Sequence, residues 1–212
     1  EQAGAIRRWA ADSSTGLGRY RQWTGLPFED GGYGRFNAAN CAQVLYLHRL
    51  QIAEGFSQGL DQGIDRLEAD LSQWRSALRK ARSLDVKMLA VGAINDDARV
   101  LSGLLAAPEL DGKYLPRFAK AALPLDQVEL SMRWPMQSEF LVQKKRIEQA
   151  LRNEGKGDRP WYLTGVAAMP VPRQRVLNDY AEYYEGLVRT SENSRESFPP
   201  PKLYARIHSP PQ

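Results

Sequence analysis

The sequence predicts an all-α protein: an irregular bundle of five to seven helices with a long central helix or helix pair at about 59–106 and proline-rich connections. Three observations carry this. Apolar or small residues recur at threes and fours from Leu60 through Ile64, Leu67, Leu71, Trp74, Leu78 and Ala81, then through Leu84, Met88, Val91, Ala98, Leu101 and Leu105. That spacing draws a stripe along a helix that packs on other helices. Proline and glycine punctuate the chain at helix-length intervals elsewhere. The 212 residues are 42% hydrophobic and 25% charged, the composition of an ordinary globular chain that can bury a sizeable core.

Residues 1–24 read as two short amphipathic pieces. Ile6, Trp9 and Ala10 form one apolar patch beside Arg7 and Arg8. The run from Asp12 to Gly16 interrupts it, and Leu17, Tyr20 and Trp23 form a second helix with Thr15 as cap. Tryptophans beside arginines suit an interfacial anchor; the plainer reading packs both on the core. Residues 25–36 form a glycine-rich loop carrying Phe28, Tyr33 and Phe36. Such a loop is long for a compact domain. Its aromatics either form a recognition surface or pin the loop to the bundle. It has no GxGxxG or GK[ST] run that would cradle phosphate.

Helix resumes near Asn37 and runs to about Glu54, with Cys41, Leu45, His48 and Ile52 on one face and Gly55 and Gly59 marking a turn or kink. Seven residues of helix put Cys41 and His48 about 10 Å apart, too far for a thiol–imidazole dyad. His48 reads as a packed or hydrogen-bonded histidine.

The central stretch would be close to 70 Å long as one helix, against a radius of gyration near 17 Å for a domain of this size. Acids gather early (Asp61, Asp65, Glu68, Asp70) and bases late (Arg75, Arg79, Lys80, Arg82), which complements one helix dipole. Ser83 then has the look of a new cap, with Asp85 in the next first turn. The expectation is two helices, about 59–82 and 84–106; the lack of glycine or proline between Ile64 and Val91 keeps a single elongated helix as the alternative. Lys87 and Asp70 neighbour the stripe. A partly buried lysine paired with a carboxylate is one candidate for function, and an exposed lysine with its stem on the core is the plain reading. Asn95, Asp96 and Asp97 fan around a helix and cannot gather on one metal by themselves.

Ala107-Pro108 ends that helix. A turn or two follows around Tyr114, Leu115 and Phe118. From Leu125 to about Glu154 helix returns, capped by Asp126 and broken at Trp134-Pro135. Its apolar set is Phe140, Leu141, Ile147 and Leu151, and Lys144 to Lys156 is the most basic run of the chain. Glutamates interleave with that run, which argues for a solvated face and against a nucleic-acid surface. Trp161 to Met169 is apolar enough for a short buried segment or strand. A last helix at about 173–191 carries Val176, Tyr180, Tyr183, Tyr184 and Leu187. The tail to Gln212, with Pro199-Pro200-Pro201 and Tyr204, reads as a linker, a docking strip or an arm packed on its own domain.

The domain reading is thus an N-terminal segment and loop at 1–36, a helical bundle at 37–192 and a proline-rich tail at 193–212. No catalytic, cofactor-binding or metal-ligating residue is assigned: the chain has two histidines, one cysteine and no EXXH, HEXXH, CXXC or GXSXG motif. The partner-binding candidates are Phe28, Tyr33, Phe36 and Tyr204. The leading functional expectation is a non-enzymatic interaction or accessory protein of a bacterial-type cell that binds another protein. The non-methionine start, Arg7-Arg8-Trp9, the aromatic glycine loop and the proline tail motivate an expected location in the periplasm or in the soluble part of a membrane-tethered protein facing it, with the cytoplasm as the alternative. The competing expectations are a helical hydrolase or lipid-modifying enzyme whose site is assembled in space, and a nucleic-acid-binding helical protein. No run approaches the roughly 18 apolar residues of a membrane-spanning helix.

Overall fold

The computed structural model describes residues 2–32, 41–108, 110–152 and 173–193, with side chains at 41–42, 150–152 and 173 left aside. The class is all-α, as the periodicity requires. The described helices are α1 (Gln2–Asp12), α2 (Ser14–Thr24), α3 (Cys41–Gln58), α4 (Leu60–Lys80), α5 (Leu84–Leu105), α6 (Leu115–Ala121), α7 (Gln127–Leu130), α8 (Arg133–Arg152) and α9 (Arg173–Glu192). A single 3-10 turn, Gly112–Tyr114, leads into α6. Seven of the described helices have eleven or more residues. The chain divides into two compact units, Glu1–Leu130 and Ser131–Gln212, a boundary that hydrophobic spacing does not mark.

In the first unit α3 is the hub, packed on α1, α2, α4 and α5. The connection from α3 to α4 is Gly59 alone, at φ 153° and ψ 162°. That backbone is essentially open only to glycine, so the turn falls at Gly59 and α3 runs unbroken through Gly55. The two helices cross glycine to glycine: a Cβ on Gly55 would stand 3.2 Å from the Gly63 Cα, and one on Gly63 would stand 2.2 Å from the Phe56 ring. The core then fills from α2, α4 and α5, where Tyr20, Trp74, Ala77, Leu78, Ala90 and Ala93 are buried together and Trp23, Phe28 and Leu45 pack against them.

The central stretch is two helices. Ala81 leaves the helix at φ −58° and ψ 124°. Ser83 caps α5, its hydroxyl accepting from the Val86 amide at 3.4 Å. The glycine loop supplies the rest of this cap. Asp30 Oδ2 accepts from the amides of Arg82 (2.7 Å) and Ser83 (2.8 Å) and from the Ser83 hydroxyl (3.1 Å), while Oδ1 accepts from the Gly32 amide at 2.8 Å. Burial opposes ionisation of Asp30, yet these donors outweigh it and hold the carboxyl below its usual range.

Three sequence expectations change. Ser13, not Thr15, precedes α2; Gly16 lies inside the helix because α2 passes so close to α3 that a Cβ there would meet Leu47 at 3.0 Å. Pro135 does not break the helix: it stands in the first turn of α8, where its missing N–H costs nothing, and the gap falls at Ser131-Met132. The buried side of α5 is also rotated from the predicted stripe. Lys87, Ala90, Ala93, Asp97 and Leu101 face inward, whereas Met88, Val91 and Leu105 are 65%, 51% and 48% exposed. Small Ala90 and Ala93 let α5 approach the Trp74–Tyr20 layer more closely than methionine or valine could.

The expected Asp126 cap takes the form of a capping box. The Glu129 amide donates to Asp126 Oδ1 at 2.9 Å and the Asp126 amide donates to Glu129 Oε2 at 2.7 Å. In the second unit α8 and α9 are antiparallel. Arg133 at the start of α8 pairs with Glu192 at the end of α9 (3.1 Å), and Phe140 meets Tyr184 edge to face at 6.3 Å. A shallow groove of about 710 Å³ runs between them, lined by Trp134, Met136, Phe140, Tyr184 and Val188 among others.

Candidate functional site

The first unit buries a polar centre built by four helices. His48 on α3, Asp70 on α4 and Asp97 on α5 are each at most 1% exposed, and α2 adds Tyr20. One ligating atom from each of His48, Asp70 and Asp97 falls within 4.8 Å of the others. His48 reaches the centre because it shares the Leu45–Ile52 side of α3. Asp70 sits one turn before Trp74 on the buried face of α4, and Asp97 one turn before Leu101 on that of α5.

Asp70 is fully engaged. The Tyr20 hydroxyl donates to Oδ1 at 2.6 Å, and His48 Nδ1 lies 2.7 Å from Oδ2. Trp74 Nε1 donates in turn to the Tyr20 oxygen at 2.8 Å, and the His48 and Trp74 rings meet edge to face. Burial, then the charge of Asp70, pushes the Tyr20 hydroxyl far above its usual range, so it keeps its proton and donates it to that carboxylate. Asp70 Oδ1 is taken by the Tyr20 hydroxyl, and the tautomer with its proton on Nδ1 satisfies Oδ2. The Nε2 lone pair is then turned toward Asp97.

Asp97 is the unsettled member. Its Oδ1 lies 3.7 Å from His48 Nε2, beyond hydrogen-bond reach. Among the described residues, His48 Nε2 and both Asp97 oxygens have no hydrogen-bond partner. Burial, then the charges of Asp70 and Asp96, raises the Asp97 carboxyl to about 9. An unpartnered buried acceptor costs on the order of 1–3 kcal/mol, so these atoms have the capacity to take a donor or a cation.

A buried lysine stands on the same helix as Asp97. Lys87 is 4% exposed, and its Nζ donates to the Leu78 carbonyl at 2.9 Å and the Glu129 carbonyl at 2.7 Å. It therefore neither pairs with Asp70 nor lies over the surface, the two roles its position in the sequence suggested. Burial lowers its pKa to about 8, with the Glu129 charge opposing. The Glu129 side chain is occupied by the Arg75 fork, at 2.8 Å to each oxygen. The lysine thus ties the end of α4 to α7 as a structural clamp.

Of the residues singled out as partner-binding, Phe28 is half-buried and packs edge-on against Trp23 at 6.4 Å. Tyr33, Phe36 and Tyr204 lie outside the described residues, as do the apolar segment 161–169 and the proline tail. The basic run begins on α8 at Lys144 and continues beyond the described residues. Trp9 is 56% exposed, while Trp23 packs on the core, so the two N-terminal tryptophans play different parts.

Sequence reasoning noted His48 and Asp70 singly and set Asp97 aside. The available signal was the alternative face of α5: Lys87, Ala90, Asp97 and Leu101 also recur at helical spacing. The stronger apolar series Met88–Val91–Ala98–Leu105 masks it. As placed, the three groups do not face solvent. No family model matches the chain, and no curated protein or solved structure matches it either.

Proposed function

We propose that this protein is a non-enzymatic interaction protein, and that α5 is its docking helix for an amphipathic helix of another protein. The observation that carries this is the outward turn of the α5 stripe. Met88 and Val91 are large apolar side chains more than half exposed, and Leu105 is 48% exposed. Together with Leu84, Asn95, Ala98 and Ser102 they recur at alternating threes and fours across the whole 22-residue helix. That is the spacing at which a second helix interdigitates. Exposed apolar residues scattered singly need no explanation; here they share one face with small and polar residues that leave room for a partner helix. Val128 and Leu130, on the segment that Lys87 ties to α5, are exposed as well. The partner is expected to offer an apolar seam, a polar residue opposite Asn95, an acid near Arg99 and a base near Asp85.

A photo-crosslinking residue placed at Val91 of the full chain, in the cell of origin, tests this. The reading predicts a discrete adduct with a second, different protein, lost when Ala98 is changed to Arg and absent when the probe is moved to the exposed Lys120. No adduct, or one containing two copies of this chain, overturns it.

The same reading extends to location: a bacterial cell-envelope protein, with α1 close to a membrane surface. No described helix is long and apolar enough to cross a membrane. Support for membrane proximity comes from Trp9, exposed beside Arg8 on α1, a pairing that suits a headgroup layer. The complete reading frame tests it. A secretion signal or anchor segment upstream of Glu1 is the expected result; an initiator methionine directly before Glu1 sinks it.

A further inference from the structure

We propose that the buried centre of the first unit is a divalent metal site of the zinc class, with His48 Nε2 and the Asp97 carboxylate as ligands and Asp70 as the residue that orients His48. Three features of the geometry point there. Every acceptor atom left without a protein hydrogen bond in this centre belongs to those two ligands. An imidazole nitrogen with carboxylate oxygens is a donor set for zinc, cobalt or manganese, and not one that selects calcium or copper(I). The 3.7 Å between Nε2 and Oδ1 is too long for a hydrogen bond. It is close to the roughly 3.4 Å that separates two ligand atoms of one tetrahedral ion at metal–ligand distances of about 2.0–2.1 Å.

The surroundings have the form that a metal-bound histidine takes. A ligating imidazole donates its other N–H to a carboxylate, which fixes tautomer and ring angle. Here Asp70 Oδ2 receives Nδ1 at 2.7 Å, and Asp70 is itself held by the Tyr20 hydroxyl, which is held by Trp74. The aimed nitrogen is thus backed by a chain of three fixed groups. A bare structural hydrogen-bond network would instead bring Asp97 into contact with the ring. The ligands come from α3 and α5, and α4 supplies the orienting carboxylate. An ion at this point cross-links the bundle, so its binding free energy adds to folding stability.

Because the centre is sealed, the test loads the ion during folding. The full chain is unfolded with chelator, refolded with or without zinc or cobalt(II), and dialysed. The proposal expects one metal per chain by elemental analysis and visible cobalt bands of a nitrogen–oxygen site. It also expects a thermal midpoint higher with metal than without. His48→Gln and Asp97→Asn should each weaken binding at least tenfold while the helical circular dichroism is kept. Asp96→Asn, at the neighbouring residue that pairs with Arg49 at 2.7 Å, should not. Substoichiometric metal overturns the proposal, as does binding that survives both ligand substitutions or falls equally with Asp96→Asn. The outcome is independent of the α5 docking experiment.

Discussion

The Tyr20 hydroxyl lies 2.6 Å from Asp70 Oδ1, joining α2 to α4 across 50 residues of chain and closing one side of the buried centre. Tyr20→Phe removes that donor and also the acceptor used by Trp74 Nε1. Two buried polar groups are then left without their partner. The expected loss is about 1–3 kcal/mol in a urea titration. Tyr46→Phe, at an exposed tyrosine of α3, should change stability by less than about 0.5 kcal/mol. Equal effects from the two would remove the case for a buried network.

Lys87 makes stability depend on alkaline pH. Its folded pKa is lowered to about 8 by burial, against about 10.4 in an unfolded chain. Between those values the unfolded state holds the extra proton, so this residue's contribution to stability rises with pH. Other groups titrate in the same range, so the difference between wild type and Lys87→Met is what matters. Unfolding free energies at pH 7.5 and 10 should rise more in the wild type. Parallel curves for the two proteins would show that Lys87 is not buried as described.

Asp30 and Ser83 form one cap between them. Ser83→Ala should cost about 1 kcal/mol, the usual value of an N-cap hydroxyl. Asp30→Ala should cost more, about 1–3 kcal/mol, because the Arg82 and Ser83 amides both lose their acceptor. The double variant should lose less than the sum, since the Ser83 hydroxyl also donates to the same Asp30 oxygen. Strict additivity in denaturant titrations would separate the loop from the cap.

The sequence by itself determined much of the local structure, though not the cap of α2 or the place of Pro135 inside α8. Helical spacing gave the class. The Asp61–Arg82 charge gradient and Ser83 placed the division between α4 and α5, and Asp126 marked the start of α7. These features depend on neighbours within one or two turns, where capping and dipole effects act. Gly55 and Gly59 together marked a turn or kink, and the structure places it at Gly59, whose backbone only glycine takes.

Only the tertiary structure decided which side of α5 is inside. Periodicity finds the most apolar face, but burial follows the fit against the opposing layer. Trp74 and Tyr20 demand a close approach that Ala90 and Ala93 permit and Met88 and Val91 do not. That rotation carries Asp97 inward to His48 and turns the apolar stripe outward. The buried centre and the proposed docking face are therefore two sides of one packing choice. A contact between Asp97 and His48 joins residues on different helices, and no spacing within either helix encodes it.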